Sequence, residues 1–233
     1  MSATLSIPSY VMPGTYLDNV RFIVEHTDIR NVELLFFMYD EDTQALMRSE
    51  MPQVMALGSG LGFTVHMPDS IQDWHEEIIE ATSDFASSYI IHPPRREAEL
   101  AGFVSLLDAW REHHGAPRFL LENTRLSCFE PAEAALLDSR FGQPLLCTDV
   151  GHLLAEGVDP VKWIAPRADR IRELHVHGFN GHADHVPFSA SAPWISGLTP
   201  FVAGFDGIVE VELFSWAELE PAVGILRRKW SAV

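Results

Sequence analysis

The chain predicts a single α/β domain over residues 1–233, a (β/α)8 TIM barrel of eight parallel strands, and three observations carry that expectation. Its 233 residues exceed one ordinary domain and fall short of two, but suit an α/β barrel. Short apolar, β-branched segments recur about every 25 to 30 residues with amphipathic stretches between them, the pattern of repeated βα units. No Gly-rich dinucleotide loop follows the first segment, which favours a closed barrel over an open doubly wound sheet.

The eight strand segments are 4–6, 31–37, 62–68, 88–92, 118–123, 144–149, 171–177 and 207–214. Helical patterns fall between them at 43–57, 72–86, 96–114, 130–140, 160–165 and 216–230. Ser215 followed by Glu218 fits a capping box, Ser70 followed by Asp73 is a weaker version, and Asp159-Pro160 places proline just inside a helix start. Residues 178–205 are rich in Gly, Ala, Ser and Pro and read as a loop over the barrel mouth.

Composition narrows the function. Hydrophobic residues at 47% with charged residues at 21% describe a globular chain with a sizeable core. No apolar run approaches the roughly 20 residues of a membrane helix. The N-terminus, MSATLSIPSY, has no basic stretch followed by an apolar core, so a secretory signal is not expected and a cytoplasmic location is. Cys128 and Cys147 are too few for a disulfide framework or a thiolate zinc site. Acidic residues outnumber basic ones 33 to 16, a net charge of −17, which repels nucleic-acid backbones and anionic membranes. The expected partner is a small-molecule substrate, and phosphate chemistry must rely on bound metal.

In a parallel barrel the active site forms at the C-terminal strand ends, and here those ends carry metal-ligand types. The third segment closes with His66, the fourth with His92 and the fifth with Glu122-Asn123. The sixth closes Cys147-Thr148-Asp149 and turns through Val150-Gly151 to His152; the seventh is Leu174-His175-Val176-His177. Beyond lies Gly181-His182-Ala183-Asp184-His185, and the eighth segment carries Glu210 and Glu212 on one face at period two. Seven of the eleven histidines sit in these positions. Mixed imidazole and carboxylate donors suit zinc first, then manganese or iron, and their number exceeds what one ion uses, so two or three divalent ions are expected. His26, His75, His113 and His114 read as solvated, and Cys147 as a small buried hydrophobe. Glu33, inside an apolar strand, reads equally as structural or substrate-binding, with Arg125 as its partner or as a phosphate contact.

These strand-end residues resemble the xylose isomerase-like barrel superfamily, which includes the endonuclease IV type enzymes (AP endonuclease family 2) and sugar epimerases, over nearly the whole chain. The endonuclease-like branch implies His66, His92, Glu122, Asp149, His152, His175, Asp184, His185 and Glu212 as ligands of three metals, with Glu122 bridging two. Its loop is commonly Asp-x-His, whereas Asp184 and His185 are adjacent here, which leaves His182 or His185 open as the loop ligand. More narrowly, Asn19-Val20-Arg21, Val32-Glu33-Leu34-Leu35, Thr64-Val65-His66, Asp149-Val150-Gly151-His152-Leu153, His175-Val176-His177-Gly178 and Glu210-Val211-Glu212-Leu213-Phe214 resemble cobamide-remodelling phosphodiesterases. That likeness implies hydrolysis of the phosphoester in the nucleotide loop of cobamides, the vitamin B12 class, releasing a corrinoid such as cobinamide. Under it Glu122 and Glu212 are catalytic, while His177, His182 and Arg125 contact substrate. One ion is expected on Glu122, Asp149, His175 and Glu212, one on His66 and His92, and a third on His152, Asp184 and His185. Phe179, Phe188 and Trp194 are expected to pack against the corrinoid or its base.

A sugar isomerase or epimerase needs only one metal, for which Glu122, Asp149, His175 and Glu212 suffice; His66, His92, Asp184 and His185 are then surplus. An apurinic-site DNA repair enzyme is disfavoured by the charge balance. A noncatalytic barrel would have lost ligands, and none of the expected types is missing.

Overall fold

Eight short strands pair edge to edge, all parallel and in chain order, until the last meets the first. They are β1 (Thr4–Pro8), β2 (Asn31–Leu35), β3 (Gly62–His66), β4 (Ala86–Ile91), β5 (Phe119–Glu122), β6 (Leu145–Asp149), β7 (Ile171–Val176) and β8 (Ile208–Val211). This computed structural model describes residues 3–57 and 59–230; residues 1, 2, 58 and 231–233 of the expected domain lie outside the described residues.

The outer ring is α1 (Tyr16–His26), α2 (Glu41–Leu57), α3 (Glu76–Thr82), α4 (Leu100–His114), α5 (Leu126–Leu137), α6 (Val150–Ala155), α7 (Pro160–Ile164), α8 (Pro193–Val202) and α9 (Trp216–Lys229). Strand alternation divides the interior from this ring. On β7, Ile171, Leu174 and Val176 join the main apolar core, while Glu173 and His175 are wholly buried on the other face. Among the described residues the barrel interior carries a small apolar cluster, Ile90, Leu120 and Cys147, with Leu145 packed against it. The rest is polar, with Ser6, Asn31, Glu33, Thr64, Ser88, Glu173 and Glu210 all buried.

Several local expectations are corrected. Residues 178–205 are not all loop: α8 buries Trp194, Ile195, Leu198 and Val202, an apolar stripe hidden by its Gly, Ser and Pro neighbours. α1 adds a helix that periodicity did not name, held by Thr15, which forms a true capping box with Asp18. Ser215 opens α9 without a side-chain cap, and Gln72, not Ser70, precedes the short 73–75 turn. Asp159 does cap α7, accepting from the Val161 N–H with Pro160 in the first turn. α5 begins four residues before the expected 130, and residues 150–155 form α6 directly after Asp149. His75 is buried beside Trp74 and Tyr39, not solvated, and burial pulls its pKa down to about 4.

Candidate metal centre

The closed barrel brings the C-terminal strand ends to one mouth, and there a cavity of about 810 Å³ opens. His66, His92, Glu122, His152, Asp184, His185 and Glu212 line it, with Phe37 and Phe214 as an aromatic wall and Arg95 and Arg125 on the rim. Asp149 and His175 are wholly buried beneath. Register contributes to the convergence: Asp149 at the end of β6 lies opposite His175 on β7.

Glu122 is the hub. Its Oε2 lies 3.2 Å from His66 Nε2 and 3.0 Å from His92 Nε2, while Oε1 lies 3.3 Å from His152 Nδ1. His66 Nδ1 sits 3.0 Å from the Met67 carbonyl, which can only accept, so a neutral His66 turns the lone pair of Nε2 toward Glu122. Two lone pairs at that distance repel unless a proton or a cation lies between them. His92 repeats the arrangement, with Asp69 Oδ1 3.4 Å from its Nδ1. Across the mouth, Glu212 Oε2 lies 3.4 Å from His175 Nδ1 and 3.2 Å from His185 Nε2. Glu212 Oε2, His175 Nδ1 and His152 Nδ1 are buried without a hydrogen-bond partner of proper geometry. Such orphaned donor atoms, aimed at one another, fit a cation.

The protonation tendencies agree. Burial opposes a charged histidine, yet the facing carboxylates outweigh it. His92 is pushed up to about 9 by Glu122 and Asp69, His152 to about 10 by Asp149 and Glu122, and His185 to about 9 by Glu212 and Asp149. Burial would raise Glu122 and Glu212, but their histidine partners hold both well below the usual carboxylate range. These directions make the centre favourable to positive charge.

Donor atoms fall into sets within 4.8 Å of one another: His66, His92 and Glu122; Glu33, His66, His175 and Glu212; Asp149, His152, His177 and His185; and Glu122, Cys147 and His175. The expected pair His66 and His92 is therefore together with Glu122, whereas the expected set Glu122, Asp149, His175 and Glu212 is divided: Asp149 groups with His152, His177 and His185, and Glu212 with Glu33, His66 and His175. In place of His152, Asp184 and His185, the geometry groups His152 and His185 with Asp149 and His177. Asp184 flanks that group from the exposed side, 3.9 Å from His152 Nε2 and 3.1 Å from His185 Nδ1. His177 lies behind the cavity wall: its Nδ1 is 2.8 Å from the His185 N–H and 3.1 Å from the Gly178 carbonyl, and its Nε2 lies 3.1 Å from Asp149 Oδ2. Both nitrogens are engaged, and His177 orients Asp149. His182 is exposed, its N–H donating to Asn180 Oδ1, and it is not among the cavity-lining residues. Arg125 is exposed on the rim, away from Glu33, whose only ion-pair partners among the described residues are histidine atoms.

Local backbone supports this. His185 is the only described non-glycine residue with positive φ, at 50°, a left-handed turn that swings its ring under Phe214. A Cβ on Gly151 would come within 2.0 Å of the His177 ring, so only glycine lets α6 start against that side chain.

Some contributors escaped the sequence reading. Asn123 clamps Asp149, donating to its carbonyl and accepting from its N–H, both at 2.9 Å. Asp69 holds His92 from a loop with no sequence signal. Phe37 and Phe214 close the expected segments 31–37 and 207–214, a position that flagged the candidate ligands and flags them equally. The aromatics expected at the mouth lie elsewhere: Phe188 and Trp194 pack on each other in the core, because α8 folds back onto the barrel, and Phe179 is not a lining residue.

No protein-family model and no curated protein matches the chain. Solved structures do. The 3-keto-D-glucoside 4-epimerase from E. coli is similar at 14% identity and TM-score 0.65, covering 98% of this chain and 99% of that one. The AP endonuclease of family 2 from Brucella melitensis is similar at 13% identity and TM-score 0.64, covering 98% and 99%. Endonuclease IV from Thermus thermophilus is similar at 14% identity and TM-score 0.60, covering 99% and 100%. At these identities the likeness concerns fold, and the fold is the single (β/α)8 barrel of the xylose isomerase-like type.

Proposed function

We propose that the chain is a metal-dependent phosphodiesterase that hydrolyses the nucleotide-loop phosphoester of cobamides, with two or three divalent ions, zinc first. The observation that carries this is the surplus of converging donors. Glu122, Asp149, His175 and Glu212 would serve a one-metal enzyme, but His66, His92, His152, Asp184 and His185 crowd the same mouth. Glu122 also directs its two oxygens at different histidines, as a bridging carboxylate does.

Divalent ions bound there would neutralise the phosphodiester charge and make hydroxide available near neutral pH. The protein's own part is positional. The Met67 carbonyl, Asp69 and His177 fix the rings of His66 and His92 and the carboxylate of Asp149. Phe37 and Phe214 keep one wall dry, and Arg125 offers a cation to the anionic substrate at the rim. A cavity of about 810 Å³ admits the scissile group and a neighbour; the exposed Tyr10, Met38 and Trp74, which follow β1, β2 and β3, offer apolar surface for the large remainder.

The second reading, a sugar isomerase or epimerase with a single metal, is favoured by an epimerase of the same fold. Nucleic acid is a poorer substrate for a chain of net charge −17, although endonucleases share the fold. Purified protein loaded with zinc, manganese or iron, incubated with cobamides and with ketose sugars, and read by mass spectrometry of the products tests the reading. Cobinamide-type products support it; ketose interconversion without cobamide cleavage replaces it with the isomerase.

A further inference from the structure

Three carboxylates inside the barrel belong to none of the nine expected ligands: Glu33, Glu173 and Glu210, each wholly buried. Only Glu33 meets a ligand at hydrogen-bond distance. Its Oε2 lies 3.2 Å from His175 Nε2, whereas Glu173 Oε1 stands 4.0 Å from the same nitrogen. The other nitrogen of His175, Nδ1, is buried, has no hydrogen-bond partner, and lies 3.4 Å from Glu212 Oε2.

A neutral imidazole carries one N–H and one lone pair. A carboxylate only accepts, so Glu33 Oε2 is the acceptor facing His175. The N–H therefore belongs on Nε2 and the lone pair on Nδ1. We propose that Glu33 is the positioning residue for His175: by accepting Nε2–H it turns Nδ1 to the centre, so that His175 ligates through Nδ1 beside Glu212.

His66 is set the opposite way, with Nδ1 tied to the Met67 carbonyl and Nε2 inward. The difference follows from depth. His66 ends its strand and has a backbone carbonyl beside it; His175 stands inside β7, where main-chain groups are committed to the sheet and the carboxylate at hydrogen-bond distance from Nε2 is a side chain from β2. It also accounts for a charge in an apolar strand. A buried carboxylate is costly without a counter-charge, and divalent cations one imidazole away supply it. A carboxylate on the outer nitrogen raises ligand basicity and fixes ring angle.

The inference needs a metal at the centre but no particular reaction, so it stands or falls separately from the phosphodiesterase reading. Zinc-loaded protein labelled with 15N-histidine, with His175 assigned through His175→Asn, reports the tautomer in a long-range proton–nitrogen spectrum. The expected result is a protonated Nε2 and a zinc-bound Nδ1. In competition with a chelator, Glu33→Ala should weaken zinc binding by about 10- to 100-fold, and Glu33→Gln, which keeps an acceptor but loses the charge, by less. Thermal unfolding of the metal-free variants checks that the barrel is retained, and the isosteric glutamine carries the test if the alanine variant does not fold. A zinc-bound Nε2 on His175, or wild-type zinc affinity in folded Glu33 variants, overturns the proposal.

Discussion

Glu122 and Glu212 at the barrel mouth, and Glu173 and Glu210 deeper inside, are the same side chain on nearby strands and are all buried. They are held in opposite charge states. Burial pushes all four toward the neutral acid. At the mouth the charges and hydrogen bonds of His92, His152 and His66 pull Glu122 far down, and His175 and His185 do the same for Glu212. Deeper, burial and the Glu33 charge push Glu173 up to about 8 and Glu210 well above the carboxylate range. Burial alone therefore does not decide ionisation; the histidine partners do. The mouth is an anionic cradle that calls for cations, whereas Glu173 and Glu210 deeper inside are pushed toward the neutral acid by burial and by Glu33.

The hardest way to break that contrast is Glu122→Gln. It removes a charge shared by three histidines, and phosphodiester hydrolysis is expected to fall by about three orders of magnitude or more, with loss of about one metal equivalent and an unchanged far-UV spectrum. The same exchange at depth, Glu210→Gln, replaces a neutral acid by a neutral amide and should change turnover by less than about tenfold. Steady-state rates and elemental analysis of both variants compare the two regions directly. If both lose activity alike, ionisation at the mouth is not what distinguishes them.

A milder break acts on how the mouth is held. In Gly151→Ala the new methyl group would overlap the His177 ring, which must tilt away from Asp149. Overpacking of this kind costs about 1–3 kcal/mol, which for a chain of this size lowers the melting temperature by about 2–4 °C per kcal/mol. A calorimetric scan reads it, and metal affinity should drop with it, since Asp149 loses its orienting partner.

The legible and illegible parts of the molecule follow the same division. His66, His92, Asp149 and His175 could be read because each interrupts or closes an apolar run, and a parallel barrel sends every such end to one mouth. Glu33 was visible as a charge within a strand, but its partner 142 residues away was not, since nothing local ties β2 to β7. The α8 stripe of Trp194, Ile195, Leu198 and Val202 has helical spacing, yet Ser196, Gly197 and Pro200 give the segment the composition of a loop. That misreading also sent Phe188 and Trp194 to the mouth. The left-handed turn at His185 has no sequence signature, so nothing in the sequence separates His182, which is exposed, from His185, which lines the cavity.

The smallest expected effect sharpens the comparison by pH. Glu173 accepts from Thr64 Oγ1 at 3.3 Å and Ser88 Oγ at 3.4 Å, and burial together with the Glu33 charge raises it to about 8. In the unfolded chain the same group releases its proton near 4.5. Between those values the folded state binds the extra proton, so this group's contribution is fully present below about 4.5 and is lost as pH rises toward 8. Glu173→Gln cannot ionise and escapes that loss. In metal-free protein the melting temperature of the variant, relative to wild type, should therefore climb between pH 5 and pH 8, read by thermal scans across the range. A mouth carboxylate runs the other way: Glu212, held below its ordinary range by His175 and His185, adds stability that is present at neutral pH and lost on acidification. A variant at Glu173 whose advantage shrank toward pH 8 would place that carboxylate with the ionised group at the mouth and erase the contrast between the two regions.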